Sequence, residues 1–167
     1  MPTLPASALR TRASVCPDMA STTVVVGVDG SAGAIEALRQ AALEARLREG
    51  RLRVVAVWHV PWTVYSAGAP GLDLDTVTED LKAEAGRKLE EALEQVAGDL
   101  EGIEIVRQVC EGQAAETLVE QSAGAALLVV GSRGLGGFGG LLLGSVSQQC
   151  AHHARCPVMI VHHPHAD

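Results

Sequence analysis

Continuous apolar runs alternate along this chain with stripes of apolar residues at helical spacing. Residues 22–28 form a run rich in β-branched side chains, which predicts a first strand buried on both faces. Apolar residues spaced three and four apart then predict a helix over about residues 32–49, which Gly50 would end as a C-cap glycine. A second apolar run, residues 53–60, predicts the second strand.

The same alternation continues to the C-terminus. One apolar stripe on a charged background predicts a helix over about 74–97. The third strand, around residues 103–109, is half polar, which is typical of the edge of a sheet. The remaining predicted elements are a short helix from Ala114 to near Gly124, a strand at 126–130, a helix from Gly144 to about Ala154, and a strand at 157–161. This order predicts an α/β fold: one open parallel sheet of five strands with helices on both faces.

The two ends of the chain differ from this pattern. Residues 1–20 have no periodicity and several Pro and Ser residues, so we expect a disordered extension there. Met19 stands just before the first strand and is an alternative start of translation. We therefore expect one domain over residues 21–163 and a short tail over 164–167.

Composition narrows the classes of function. The 167 residues are 47 % hydrophobic but only 2 % aromatic, so the core must be built from Val, Leu, Ile and Ala, as in a parallel sheet covered by helices. A net charge of −7 argues against nucleic-acid binding, which needs a basic surface. It also means that an anionic ligand would be held by local donors, by Arg133 or by a metal ion.

Targeting and metal signals are weak in the sequence. No apolar run approaches the roughly 20 residues of a membrane span, and residues 1–20 lack a signal-peptide core, so we expect a cytoplasmic protein. The four cysteines lack zinc-type spacing and are expected to be small buried residues or free thiols. Five of the six histidines are adjacent in pairs or lie near the C-terminus, which favours surface positions over a metal site.

A glycine-dense loop over residues 131–145 carries the main chemical signal. Gly131 and Gly134 directly follow the fourth predicted strand, and Gly144, Ser145 and Val146 open the next predicted helix. Glycine lets the backbone approach a ligand closely, and the free N–H groups of a helix N-terminus suit phosphate oxygens. Ser145 is the expected N-cap residue. The loop therefore predicts a phosphate site, most simply for a nucleotide.

Three other kinds of loop fit the same residues less well. A flexible linker would be more polar than a segment that carries three consecutive leucines, residues 141–143. A Walker P-loop needs a lysine in the motif, and the only lysines of the chain are Lys82 and Lys88. A G-x-G-x-x-G pattern occurs at residues 134–139, but it follows the fourth strand and has no acidic residue about 20 positions downstream.

The spacing of this loop resembles that of the universal stress protein family. Gly131, Gly134, Gly144 and Ser145 meet the pattern G-x₂-G-x₉-G-[ST] that marks the family's ATP-binding branch. The opening VVVGVDGS from Val24, the pair His59-Val60, and the final CPVMIV at residues 156–161 are also similar to the family. The resemblance covers roughly residues 22–163. One departure is Ala126, where the family usually has Asp.

The resemblance implies a Rossmann-like sheet, similar to the adenine nucleotide α-hydrolases, with strand order 3-2-1-4-5. That order places the ends of strands one and four side by side at the topological switch point, where open α/β sheets bind ligands. It further implies ATP as the ligand, with Mg²⁺ or Mn²⁺ bridging its phosphates, and a homodimer formed through the last strand, Val158–Val161.

The resemblance also assigns residues to parts of the nucleotide. The implied roles are Gly27, Val28 and Asp29 at the adenosine end, Val60 beside the base, Val130, Gly131, Arg133 and Gly134 along ribose and phosphates, and Gly144, Ser145 and Val146 at the β and γ phosphates. Trp62, at the start of the long loop 61–73, is a further candidate to close over the adenine.

The function implied is an ATP-binding stress-response regulator or sensor that signals through a nucleotide-dependent dimer surface to an unknown protein partner. No nucleophile–base constellation stands out in the sequence, so we expect at most a weak ATPase activity. Two alternatives stay open. One is a slow ATPase or nucleotidyl-transfer enzyme of the same fold, and the other is an interaction module that binds no nucleotide.

Overall fold

The strands of this protein form one parallel sheet in the order β3-β2-β1-β4-β5, as the resemblance implies. A computed structural model describes residues 22–63, 73–136 and 142–163; the expectations for residues 1–20, for 164–167 and for most of the 61–73 loop lie outside these ranges. The strands are β1 (Val24–Val28), β2 (Leu52–Trp58), β3 (Ile105–Glu111), β4 (Leu127–Gly131) and β5 (Val158–Val161). The helices are α1 (Ala32–Leu47), α2 (Leu74–Gln95), α3 (Ala114–Gln121) and α4 (Ser145–His153), with a 3₁₀ turn at Ala97–Leu100.

Helices cover both faces of the sheet, so each face packs its own apolar cluster. Val24 and Val26 of β1 point to the cluster beneath α1 and α2, whereas Val25 points to the cluster beneath α3 and α4. All three side chains are fully buried, which confirms that the first strand is covered on both faces. Aliphatic side chains dominate both clusters, as the low aromatic content predicts, and Trp58 is the one aromatic residue among their described buried members.

The half-polar third strand lies at an edge of the sheet, as its pattern predicts. Half-buried and exposed residues alternate along much of β3, and the strand pairs only with β2 among the described strands. Arg107 points outward and forms an ion pair with Glu90 of α2, with Nε and Oε1 3.1 Å apart.

The C-terminus of α1 differs from the sequence prediction. Arg48 is the C-cap residue, and Glu49 rather than Gly50 has the left-handed φ of +49°. The N–H of Gly50 donates to the carbonyl of Ala45, and the N–H of Glu49 donates to that of Arg46, which is the hydrogen-bond pattern of a Schellman motif. Gly50 is required for another reason: a β-carbon there would overlap the carbonyl of Thr22.

Three cysteines lie in the described residues, and none of them forms a disulfide there. Cys150 is fully buried in the cluster under α3 and α4, and this burial raises the pKa of its thiol to about 11. Burial likewise raises the pKa of Cys110. At neutral pH both side chains are protonated and pack as small apolar groups, in agreement with the sequence prediction.

The strand order creates a switch point at the centre of the sheet. From β1 the chain moves outward through β2 and β3, and it then returns to place β4 and β5 on the other side of β1. Strands β1 and β4 pair in parallel, with Val24 beside Leu127 and Val26 beside Val129. Their carboxyl ends therefore meet at one edge, where the loops after β1 and β4 diverge to opposite faces and leave a crevice.

Candidate functional site

A cleft of about 410 Å³ opens at the carboxyl ends of β1 and β4. Its volume lies within the range of about 300–1,000 Å³ that is typical of small-molecule sites. The fold brings together ten of the eleven predicted site residues in its lining: Gly27, Val28, Asp29, Val130, Gly131, Arg133, Gly134, Gly144, Ser145 and Val146.

The eleventh residue, Val60, lies elsewhere. It is half-buried against the apolar cluster beneath α1 and α2 and does not line the cleft. Its neighbour His59 lines a smaller hollow of about 250 Å³, which adjoins the cleft at Asp29 and Leu135. Trp62 has 79 % of its surface exposed and lines neither hollow.

Several cleft residues were not predicted from the sequence. Val55 and Val57 of β2 and Leu118 of α3 form an apolar wall, and their alternation along the strand and helix is the signal that could have found them. The other additions are Ser31, Ala34, Ala114, Leu135, Gly136, Leu143 and Ser147.

Asp29 connects the turn after β1 to the glycine loop. One carboxylate oxygen accepts the N–H of Ser31 at 2.9 Å, and the other accepts the N–H of Leu135 at 3.2 Å. The second bond joins residues 106 positions apart in the chain. Asp29 therefore orders the loop in the structure described here, in addition to the ligand contact that the resemblance implies.

Two of the three motif glycines, Gly131 and Gly134, sit where a β-carbon would collide with other atoms of the protein. A β-carbon on Gly131 would lie 2.9 Å from the backbone of Gly33, in the first turn of α1. A β-carbon on Gly134 would overlap the carboxylate of Asp29. The sequence analysis explained the glycines by the close approach of the backbone to a ligand, and at Gly134 the structure adds the close approach of Asp29. Gly144 is less confined, because a β-carbon there meets the nearest atom at 3.4 Å.

Two helices begin at the cleft, which concentrates N–H groups and positive dipole ends there. Ser31 caps α1, and its Oγ accepts the N–H of Ala34 at 3.2 Å. The cap of α4 is Gly144, without a side-chain hydrogen bond, so the prediction that Ser145 is the N-cap is wrong. Ser145 is instead the first helical residue, and its exposed side chain lines the cleft. Both helix N-termini favour a negatively charged ligand.

Charged side chains are sparse among the described residues that line the cleft: Asp29 and Arg133 are the two. Backbone N–H groups, Arg133 and the hydroxyl of Ser145 are therefore the donors for an anion. In the described residues no group of three or more His, Cys, Asp or Glu side chains could hold a metal ion. A Mg²⁺ or Mn²⁺ ion would accordingly fit here only through phosphate oxygens, water and at most the Asp29 carboxylate.

Within the described residues, no helix combines the length and the apolar character needed to cross a bilayer.

The sequence from residue 21 to residue 162 matches the family model described as the universal stress protein family. A universal stress protein of Mycolicibacterium smegmatis is 35 % identical over 142 residues, which cover 83 % of this chain and 47 % of that protein. One from Mycobacterium tuberculosis is 36 % identical over 156 residues, covering 93 % of this chain and 50 % of that protein. The chain thus spans about half the length of these relatives.

Comparison with solved structures also finds similarity to the universal stress protein family. A universal stress protein crystallised in complex with cAMP superimposes with a TM-score of 0.63 at 28 % identity, and the match covers 86 % of this chain and 98 % of that one. Similarity at this level extends over nearly the whole of the solved domain.

Proposed function

This chain belongs to the universal stress protein family, and from that premise we propose that it binds an adenine nucleotide in the cleft at the ends of β1 and β4. The convergence of ten predicted residues on one cleft is the observation that carries the proposal. Those residues come from the ends of two strands, from the loop after β4 and from the start of α4. The cAMP complex of a relative supports an adenine nucleotide as the class of ligand.

ATP with Mg²⁺ or Mn²⁺ is the nucleotide that we propose. The apolar wall of Val55, Val57 and Leu118 offers a surface for an uncharged base, whereas Arg133 and the start of α4 supply donors for phosphates. The charges of Asp29 and Arg133 nearly cancel each other in the cleft. The electrostatic field there therefore repels a polyanion less than the net charge of −7 alone would suggest. The metal ion would reduce the remaining repulsion from Asp29.

We further propose that the protein acts in the cytoplasm as a regulator or sensor of stress and not as an efficient enzyme. Asp29 is the one carboxylate among the described lining residues, and both its oxygens already accept backbone N–H groups. Among the described residues that line the cleft, no His, Lys, Cys or Tyr stands beside Asp29 to complete a general acid–base pair. In this proposal the nucleotide is a signal whose binding changes a surface presented to a dimer partner or to another protein.

The first test is native mass spectrometry of the gently purified protein, which detects a retained nucleotide. The second is calorimetric titration with ATP, AMP and cAMP, each with and without Mg²⁺, with GTP as the control. We expect a retained or added adenine nucleotide, affinity in the micromolar range, weaker binding of GTP, and negligible release of phosphate from ATP. Absence of any binding would contradict the proposal, and rapid turnover would favour the enzyme alternative.

A further inference from the structure

A buried serine in the first turn of α4 lies beneath the glycine loop. The side chain of Ser147 is almost fully enclosed, with 2 % of the residue exposed. Its Oγ lies 2.8 Å from the carbonyl oxygen of Ser132 and 2.9 Å from that of Gly144. The hydroxyl has one proton to donate and two carbonyl acceptors within reach, so it makes a hydrogen bond to one end of the loop whichever acceptor the O–H points to.

Ser132 and Gly144 are the two points between which the loop leaves the sheet and returns to α4. The N–H of Gly144 donates to the carbonyl of Ser132 at 2.7 Å, and the N–H of Ser132 donates to the carbonyl of Val161 at 2.7 Å. Ser147 adds a side-chain hydrogen bond to these main-chain bonds at the two ends of the loop. Main-chain hydrogen bonds and the hydroxyl of Ser147 therefore hold the two ends of the loop together.

We propose that Ser147 is a positioning residue for the phosphate end of the nucleotide, an inference that rests on the proposed function. Phosphate recognition by main-chain N–H groups depends on their placement, because each of these donors is fixed to the backbone. Loss of the hydroxyl leaves a buried carbonyl with one donor fewer and lets the start of α4 move relative to Arg133 and Gly134. The phosphates lose contacts as a result, whereas the apolar wall of the cleft does not involve this bond.

Ser122 provides a matched control. It is also fully buried, and its Oγ donates to the carbonyl of Val119 at 2.9 Å, at the C-terminal end of α3 and outside the cleft. Ser147→Ala and Ser122→Ala therefore remove the same atom and the same kind of bond. Both changes are expected to lower the midpoint of thermal unfolding by similar amounts.

Calorimetric titration of each variant with ATP, AMP and adenosine separates the two roles. We expect Ser147→Ala to weaken ATP and AMP binding about three- to tenfold, which corresponds to one lost hydrogen bond, and to leave adenosine binding unchanged. Ser122→Ala should bind all three ligands like the original protein. Ser147→Thr, which keeps the hydroxyl, should recover most of the lost affinity.

Three outcomes would overturn the inference. The first is normal binding of phosphorylated ligands by Ser147→Ala, the second is an equal loss of affinity for adenosine and ATP in that variant, and the third is the same loss in Ser122→Ala. If the original protein binds ATP, any of these results contradicts the role of Ser147 alone. An original protein that binds none of the ligands contradicts the proposed function and the inference together.

Discussion

Gly131 and Gly134 occupy positions where a β-carbon would meet other parts of the protein. The backbone of Gly33 lies against the first, and the carboxylate of Asp29 lies against the second. Gly33 has the reciprocal constraint, because a β-carbon there would lie 2.9 Å from the carbonyl of Arg133. At the scale of single residues, then, these glycines let the loop pack against α1 and Asp29, and this packing shapes the cleft before any ligand binds.

Replacing Gly134 with Ala tests this explanation. The added methyl group must displace the Asp29 carboxylate, which then loses the N–H of Leu135. We expect the affinity for ATP to fall about tenfold or more, since one charge-assisted hydrogen bond and the loop position are lost. Titration calorimetry measures the affinity, and circular dichroism checks that the fold is retained.

Gly98→Ala is the control for that change, because Gly98 lies in the 3₁₀ turn away from the cleft and a β-carbon there meets no atom of the described residues within 4 Å. It should leave the stability and the Asp29 bond unaltered. Equal affinities for Gly134→Ala and the original protein would show that the Asp29 contact does not order the site.

The end of α1 illustrates how an element can end without glycine at the left-handed position. Glu49 adopts a φ of +49°, which costs a residue with a β-carbon about 1–2 kcal/mol relative to its preferred conformations. The Schellman hydrogen bonds from Glu49 and Gly50 hold the chain there. Gly50 is needed one position later, where the backbone of Thr22 passes close to the turn. Strain at Glu49 is therefore compensated by the packing of the helix end against the start of β1.

Substituting Gly for Glu49 should remove this strain. After allowance for the greater entropy of glycine in the unfolded chain, we expect the free energy of unfolding to rise by about 0.5–1 kcal/mol. Urea denaturation followed by circular dichroism measures the change. Glu79→Gly, the same substitution at an exposed position inside α2, should instead lower the stability by about 1 kcal/mol. A loss of stability in both variants would mean that Glu49 is unstrained.

At the scale of the whole molecule, β5 forms one edge of the sheet, and among the described strands it pairs with β4 alone. The N–H groups of Leu128 and Ser132 donate to the carbonyls of Pro157 and Val161, at 2.9 and 2.7 Å. In a parallel pair the residues that bond to one neighbour alternate along the strand, so the backbone of Met159 also faces β4. The N–H and C=O groups of Val158 and Ile160 consequently face outward, which fits the proposal that two copies pair through this strand.

Proline substitutions distinguish the two edges of β5. The proposed pairing predicts that the original protein is a dimer and that Ile160→Pro, which removes an outward N–H and no bond to β4, is a folded monomer. Met159→Pro removes a bond to β4 and should destabilise the sheet itself. Light scattering during gel filtration measures the mass, and thermal unfolding reports the stability. A dimer that survives Ile160→Pro would place the interface elsewhere.

The sequence alone determined the order and type of the elements, because apolar periodicity reflects local geometry and each strand or helix must bury its own apolar face. It indicated the edge position of β3 and a glycine loop at the carboxyl end of β4, and the family resemblance supplied the strand order. These are properties of short segments or of a spacing that can be read directly along the chain.

Tertiary packing decided what no local pattern specifies. It placed Asp29 beside Leu135 across more than a hundred residues, put Val60 outside the cleft, and moved the cap of α4 from Ser145 to Gly144. Each of these outcomes depends on which backbone or side-chain atom approaches from a distant part of the chain. The sequence and the family resemblance thus named ten of the residues that line the cleft, and only the folded structure determined which atoms hold its loop in position.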